Sequence, residues 1–325
     1  MDFEPLAQPS SAPPLQAPPL QAPPPERILS KIFLNEKGLR GGWRLLIYAA
    51  FVAALGFGGG TVLQHFIHPM RGVFSFGYSL TYEVFSFLVI FGAALIMSKI
   101  EGRPPGVYGL PMKGAFGNLF WQGCLIGLIE VSALIGSIAA FGGYSFGVLA
   151  LHGKDLLRWG MLWAVFFVFV GLFEEFLFRG YTQYTLADSI GFWPAAIVLS
   201  CSFGAVHLGN PGEGWVGAAG VVMIGLVFAF ALRRTGNLWL VVGWHASFDF
   251  GETFLYSVPN SGIVFEGHLS NASLMQGKAW LTGGTVGPEG SVFSFLTMGI
   301  LALAIHFLYP TKKTEPAPIQ ENQAA

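Results

Sequence analysis

The sequence predicts an all-α polytopic membrane protein: a bundle of about eight transmembrane helices behind a disordered, Pro-rich N-terminal tail. Three observations predict it. Charged residues make up 11% of the 325 and hydrophobic residues 53%, whereas a soluble domain carries roughly 25% charged residues. Several apolar runs reach the roughly 20 residues that a helix needs to cross hydrocarbon. The basic residues also fall on alternate sides of the membrane once eight spans are drawn. A net charge of −1 leaves no electrostatic footprint for nucleic acid, and none is expected as a partner.

Residues 1–26 repeat Pro-rich units, Leu15-Gln16-Ala17-Pro18-Pro19 and then Leu20-Gln21-Ala22-Pro23-Pro24. Proline without apolar periodicity reads as a solvated tail. No basic start leads into an apolar core, so the layout of a cleavable signal is missing. Residues 27–310 read as the transmembrane domain and 311–325 as a cytoplasmic C-terminal tail. Arg27 to Arg44 is basic with interspersed apolar residues, an interfacial lead-in to the first span. The spans fall at about 43–66, 74–98, 116–143, 157–178, 190–208, 215–233, 237–257 and 291–309. Connections are short except 258–290, which is rich in Gly and Ser and too polar to cross. Gly56 to Gly60, inside the first span, suits close helix packing rather than phosphate binding. Cys124 and Cys201 lie in apolar runs and read as buried small residues.

With eight spans, one side keeps only Arg71, Lys154, Arg158 and Lys278 of the 17 basic residues. The positive-inside rule therefore places both termini in the cytoplasm.

Ionisable residues inside such spans are costly and ask for a partner and a purpose. Glu174, Glu175 and Arg179 close a run whose preceding stretch, Met161 to Val170, is wholly apolar. On a helix Glu175 and Arg179 share a face and can pair, while Glu174 points about 100° away. His207 ends the next span. His245 and Asp249, four apart, share a face of a later one. Converging, these residues would form a buried Glu/His/His/Asp cluster. As drawn, Glu174 and His207 lie at opposite ends of their spans. Convergence needs the fourth helix to run on past Arg179, or the fifth to sit higher. Glu83 and Glu130 are expected to pair with neighbouring helices, and Glu252, three residues past Asp249, lies on a nearby helix face.

Such a cluster suits amide hydrolysis. A desolvated carboxylate can take a proton from water, one imidazole can position that water, and a second can donate to a developing oxyanion. Glu174, His207, His245 and Asp249 could equally ligate a divalent metal such as Zn2+, although no His-Glu-x-x-His motif is present.

Glu174-Glu175 with Arg179, Phe203 with His207, and His245 with Asp249, in that order on successive polar-bearing spans, resemble the three motifs of the CPBP family. It comprises CAAX-type prenyl endopeptidases and bacterial relatives, some linked to bacteriocin self-immunity. The resemblance covers about residues 155–255. Gly41-Gly42-Trp43-Arg44, Trp280 to Gly284 and Gly287-Pro288-Glu289-Gly290 are also similar to bacterial members. It implies that Glu174 with His207 activates water, that His245 and Asp249 stabilise the oxyanion or orient the site, and that Glu175 and Arg179 support the first helix. Eukaryotic members carry asparagine where this chain has Asp249. An ionised aspartate donates no hydrogen bond, so orienting His245 is the easier role there. The implied substrate is a membrane-anchored peptide or protein, with its prenylation left open, in the bilayer of a bacterial inner (cell) membrane. The alternatives are a non-proteolytic immunity or scaffold protein of the same family and, with less support, a proton-coupled transporter.

Overall fold

The computed structural model describes residues 34–35, 38–68 and 75–310. The Pro-rich stretch 1–26 and the C-terminal stretch 311–325 lie outside the described residues. The chain divides into two units, Met1–Arg40 and Gly41–Ala325. Within the first, strands β1 (Leu34–Asn35) and β2 (Gly38–Leu39) pair antiparallel, with Leu34 opposite Leu39.

The second unit is helical: α1 (Gly41–Phe66), α2 (Phe76–Glu101), α3 (Asn118–Ala140), α4 (Gly153–Arg179), α5 (Tyr181–Ile190), α6 (Phe192–His207), α7 (Trp215–Thr235), α8 (Trp239–Phe250) and α9 (Val292–Leu308). Each segment expected to span the membrane is helical. Among the described residues, α1, α2, α3, α7 and the continuous run Gly153–Ile190 are long and apolar enough to cross a bilayer. With 16 and 17 residues, α6 and α9 are shorter. Large apolar side chains such as Leu46, Phe57, Leu125 and Leu303 stand outward on these helices, as an integral membrane protein requires.

The helical path runs on past Arg179, one of the two shifts that convergence required, with a break at Gly180. Gly180 leaves the helical region (φ −82°, ψ −123°), ending α4, and α5 follows at once. Gly191 then takes φ 88°, a conformation that favours glycine, and the chain turns into α6. At about 1.5 Å per residue, the ten residues of α5 carry the chain roughly 15 Å further before it returns. Arg179 therefore sits beside the middle of α6, its guanidinium 4.5 Å from the Phe203 ring. This extra excursion resolves the apparent mismatch in depth between Glu174 and His207.

An ionic clamp fixes α5. Arg44 on α1 donates to both carboxylate oxygens of Glu101 at 3.0 and 2.7 Å, and to Asp188 on α5 at 3.0 Å. The Tyr181 hydroxyl, also on α5, donates to Glu101 at 2.5 Å. Bidentate arginine pairs are strong and directional, so three helix ends are tied at one point.

At the centre stands α8. Leu240, Val241, Val242 and Trp244 are all fully buried, the mark of a helix surrounded by protein on every side. Its continuation, Gly251–Leu255, is a π turn. Glycines let the neighbours come close. A Cβ on Gly123 or Gly127 of α3 would meet the Leu240 or Trp244 carbonyl, one on Gly243 would meet that of Phe120, and one on Gly171 of α4 would touch that of Val242. Small residues at such seams are how membrane helices pack without a hydrophobic driving force between them.

The long connection before α9 folds back over one end of the bundle. Its strand β4 (Ser273–Leu274) pairs with β3 (Tyr144–Ser145), and it includes a single helical turn, Ala279–Thr282.

Gly243→Ala is expected to destabilise the protein by about 1–3 kcal/mol through overpacking. Gly136→Ala, with open space around its Cβ, should be neutral or slightly stabilising. Chemical unfolding of both variants in detergent checks the contrast.

Candidate active site

Three helices deliver the residues. The end of α4 carries Glu174, Glu175 and Arg179, the end of α6 carries His207, and α8 carries His245 and Asp249. Glu174, His207, His245 and Asp249 all line one cavity of about 340 Å³. Its remaining wall is largely apolar, including Phe166, Phe167, Val170, Ile224, Phe248 and Phe265.

Glu175 does not face that cavity. It is fully buried and bridges two partners: Arg179 donates to its Oε1 at 3.3 Å, and His245 Nδ1 reaches the same oxygen at 2.8 Å. Since an ionised carboxylate only accepts, that contact assigns the proton to Nδ1 of His245. His245 Nε2 then faces Asp249 Oδ2 at 3.5 Å and Glu174 Oε2 at 3.7 Å. These separations exceed a direct hydrogen bond and leave room for a proton or a small molecule to be shared. His207 is fixed in the same sense: its Nδ1 lies 2.9 Å from the Phe203 carbonyl oxygen. A carbonyl can only accept, so Nδ1 carries a hydrogen, and in the neutral ring the lone pair is on Nε2. Both imidazoles are thus tied by one nitrogen, with the other open for chemistry.

Arg179 is 2% exposed. Its guanidinium lies over the rings of Phe203 and Phe228 at 4.5 and 5.8 Å, cation–π contacts that compensate lost hydration. Gly225 makes the space, since a Cβ there would press on the Arg179 Nη2. Phe203 also packs edge-on against His207, with ring centroids 4.6 Å apart. The aromatic residue in the second motif thus seats both the arginine and the histidine.

Several further residues line the wall that the sequence did not assign to the site. Glu83 on α2 lines the cavity, as does Glu130 on α3, which accepts from the Trp244 indole at 2.6 Å; for Glu130 the expected neighbour-helix pairing is observed. Asn210, Asn260, Ser261 and Glu289 enter from loops. Their only sequence signal was the Gly287-Pro288-Glu289-Gly290 stretch. The Ser261 hydroxyl donates to Glu289 Oε2 at 3.1 Å. Glu252, in the π turn, is fully buried, with Glu289 and Asp249 near enough to interact with it electrostatically. Glu213, in the loop after α6, accepts from the Gly214 N–H at 3.0 Å. Burial, with Glu289 nearby, raises its carboxyl above the ordinary range.

A metal would need several of these side chains on one point. Among the described residues no group of three His, Cys, Asp or Glu is arranged to hold one, so the side chains as they stand do not fit a metal centre. Cys124 and Cys201 are free thiols, and neither is buried as expected: Cys124 is half-buried and Cys201 faces outward, since an apolar run in such a bundle has an outer side as well as an inner one.

Residues 155–251 match the family model described as type II CAAX prenyl endopeptidase Rce1-like. The match contains all three motifs. No curated protein matches the chain.

Glu175→Ala leaves Arg179 as a buried charge without its carboxylate and frees the His245 ring. A loss of about 3–5 kcal/mol is expected, read by chemical unfolding. Combining Glu175→Leu with Arg179→Met should recover much of it, because no uncompensated charge then remains.

Proposed function

We propose that this chain, whose residues 155–251 match the type II CAAX prenyl endopeptidase Rce1-like family model, is an intramembrane endopeptidase that hydrolyses a peptide bond in a membrane-anchored peptide or protein. The observation that carries the reading is that Glu174, His207, His245 and Asp249, from three different helices, line one cavity inside an apolar bundle.

In this reading a water molecule lies between the Glu174 carboxylate and the open Nε2 of His207. As the water oxygen attacks the carbonyl carbon, Glu174 accepts its proton. Charge builds on the carbonyl oxygen, and His245 faces it through Nε2, donating when that nitrogen is protonated. Asp249 and Glu174 flank Nε2 and Glu175 holds Nδ1, so the imidazolium form has carboxylates on both sides. Asp249 acts on His245 rather than on substrate. Collapse of the tetrahedral intermediate breaks the C–N bond, and the proton held by Glu174 passes to the leaving amine.

These steps use only a water molecule and the chain's own side chains. The aromatic wall suits an apolar segment near the scissile bond, which supports a membrane-associated substrate, prenylated or not. The distribution of basic residues supports cytoplasmic termini, in a bacterial cell membrane.

Purified Glu174→Gln and His207→Ala proteins should each lose about 10²–10⁴-fold in cleavage of membrane-anchored peptides while unfolding at the wild-type temperature. Full activity in either variant rejects the mechanism. Function that survives Glu174→Gln, in cells or in a binding assay, would favour an immunity or scaffold role instead. Separately, cleavage is expected to persist after exhaustive chelation; activity lost to the chelator and restored by Zn2+ would overturn the metal-free route.

A further inference from the structure

Glu83 stands in the wall of the cavity that Glu174 and His207 share, without a role in the steps above. It lies on α2, outside the residues that match the family model. Its face of the helix is otherwise apolar: Phe76, Leu80, Glu83, Phe87 and Phe91 follow at intervals of three or four and point the same way. Phe76 packs on Trp163 and Phe166 of α4, with ring centroids 5.2 and 5.9 Å apart. Phe87 and Phe91 pack on Phe176 of the same helix, at 6.4 and 5.2 Å. Glu83 therefore interrupts an apolar seam between α2 and α4, where that seam borders the cavity with Val170 and Glu174.

The other acids of the wall are met by the protein. Glu130 accepts from the Trp244 indole and Glu289 from the Ser261 hydroxyl, while Asp249 and Glu174 flank Nε2 of His245. Glu83 has no hydrogen-bond or ion-pair partner among the described residues, so the pairing expected for it from the sequence is not found. Its side chain instead reaches the cavity, near enough to Glu174 for the two carboxylates to repel. Among the described residues no lysine or arginine lines that cavity, and Arg179 is held by Glu175. An unpaired carboxylate among apolar side chains is costly. The chain supplies no cation for Glu83, and the molecule that enters beside it is the substrate.

We propose that Glu83 is a specificity-determining residue: it receives the ammonium or guanidinium group of a lysine or arginine close to the scissile bond. The cavity then selects membrane-anchored substrates with a basic residue at that point. The inference rests on the endopeptidase reading and names a substrate class for it. An ion pair formed away from water is strong, and this one relieves the repulsion between Glu83 and Glu174. A glutamate at the same substrate position meets like charge.

The test uses synthetic peptides with an apolar anchor, an acetylated N-terminus and an Ala/Ser segment. One position, moved through the segment, is lysine, norleucine or glutamate; norleucine keeps the apolar stem of lysine without its charge. Full-length protein in phosphatidylcholine nanodiscs should cleave the best lysine peptide with a kcat/KM about tenfold or more above its norleucine counterpart. The glutamate peptide should be the poorest of the three. Glu83→Gln should bring the lysine-to-norleucine ratio close to one, and Glu289→Gln should keep it. Because the ratio compares two peptides on one preparation, it does not depend on how much of a variant folds. A wild-type ratio near one overturns the proposal and leaves the endopeptidase reading in place. So does a ratio that Glu83→Gln retains, as when every peptide loses equally, which marks a structural or proton-handling role. Loss of the ratio in Glu289→Gln as well traces it to the overall charge of the cavity and also overturns the assignment to Glu83. No cleavage of any peptide by the wild type counts against the endopeptidase reading itself and removes this inference with it.

Discussion

The carboxylate of Glu175 is the point on which the bundle's polar interior depends. Hydrocarbon offers ions no hydration, so every charge placed there must be met by another group of the protein. Glu175 meets two at once. It neutralises Arg179 on its own helix and fixes the His245 imidazole on α8. An intrahelical ion pair and a contact between helices therefore share one oxygen, and α4 and α8 are held in register by it.

The remainder of the architecture serves that contact. Close backbone approach at Gly123, Gly127, Gly171 and Gly243 sets α8 between α3 and α4. Phe203, Phe228 and Gly225 make a socket in which the Arg179 guanidinium can lie without water. Because α5 prolongs the path between α4 and α6, His207 arrives at the level of the cavity rather than a membrane's breadth away. The clamp of Arg44 on Glu101 and Asp188 fixes α5 at the far end. Arg179 stands between two cavities, linked to the first through Glu175 and His245 and lining the second.

Several features were legible in the sequence because they follow from local rules. Apolar runs of span length mark helices whatever their neighbours, and each of the eight was helical. Fourfold spacing put Glu175 with Arg179 and His245 with Asp249 on common faces, since a helix repeats its direction nearly every four residues. Acceptors were harder to read. The spacing suggested Asp249 as the partner of His245, but the Nδ1 proton goes to Glu175, seventy positions away in the chain. Spacing along a helix says nothing about which residue another helix presents. The short α5 was missed for a related reason: its ten residues are too few and too polar to register as a span, and only the clamp with Arg44 shows what they pack against.

By itself, then, the sequence determined the class of fold, the order of the polar-bearing helices and which ionisable residues those helices bring into the apolar bundle, because hydrophobicity and helical period are local properties of the chain. Tertiary structure alone decided that Glu174 and His207 reach one cavity and that loop residues Asn260 and Glu289 join its wall. Those outcomes depend on helix depth and on contacts between residues far apart in the chain, set by glycine seams and buried ion pairs whose partners no local pattern names.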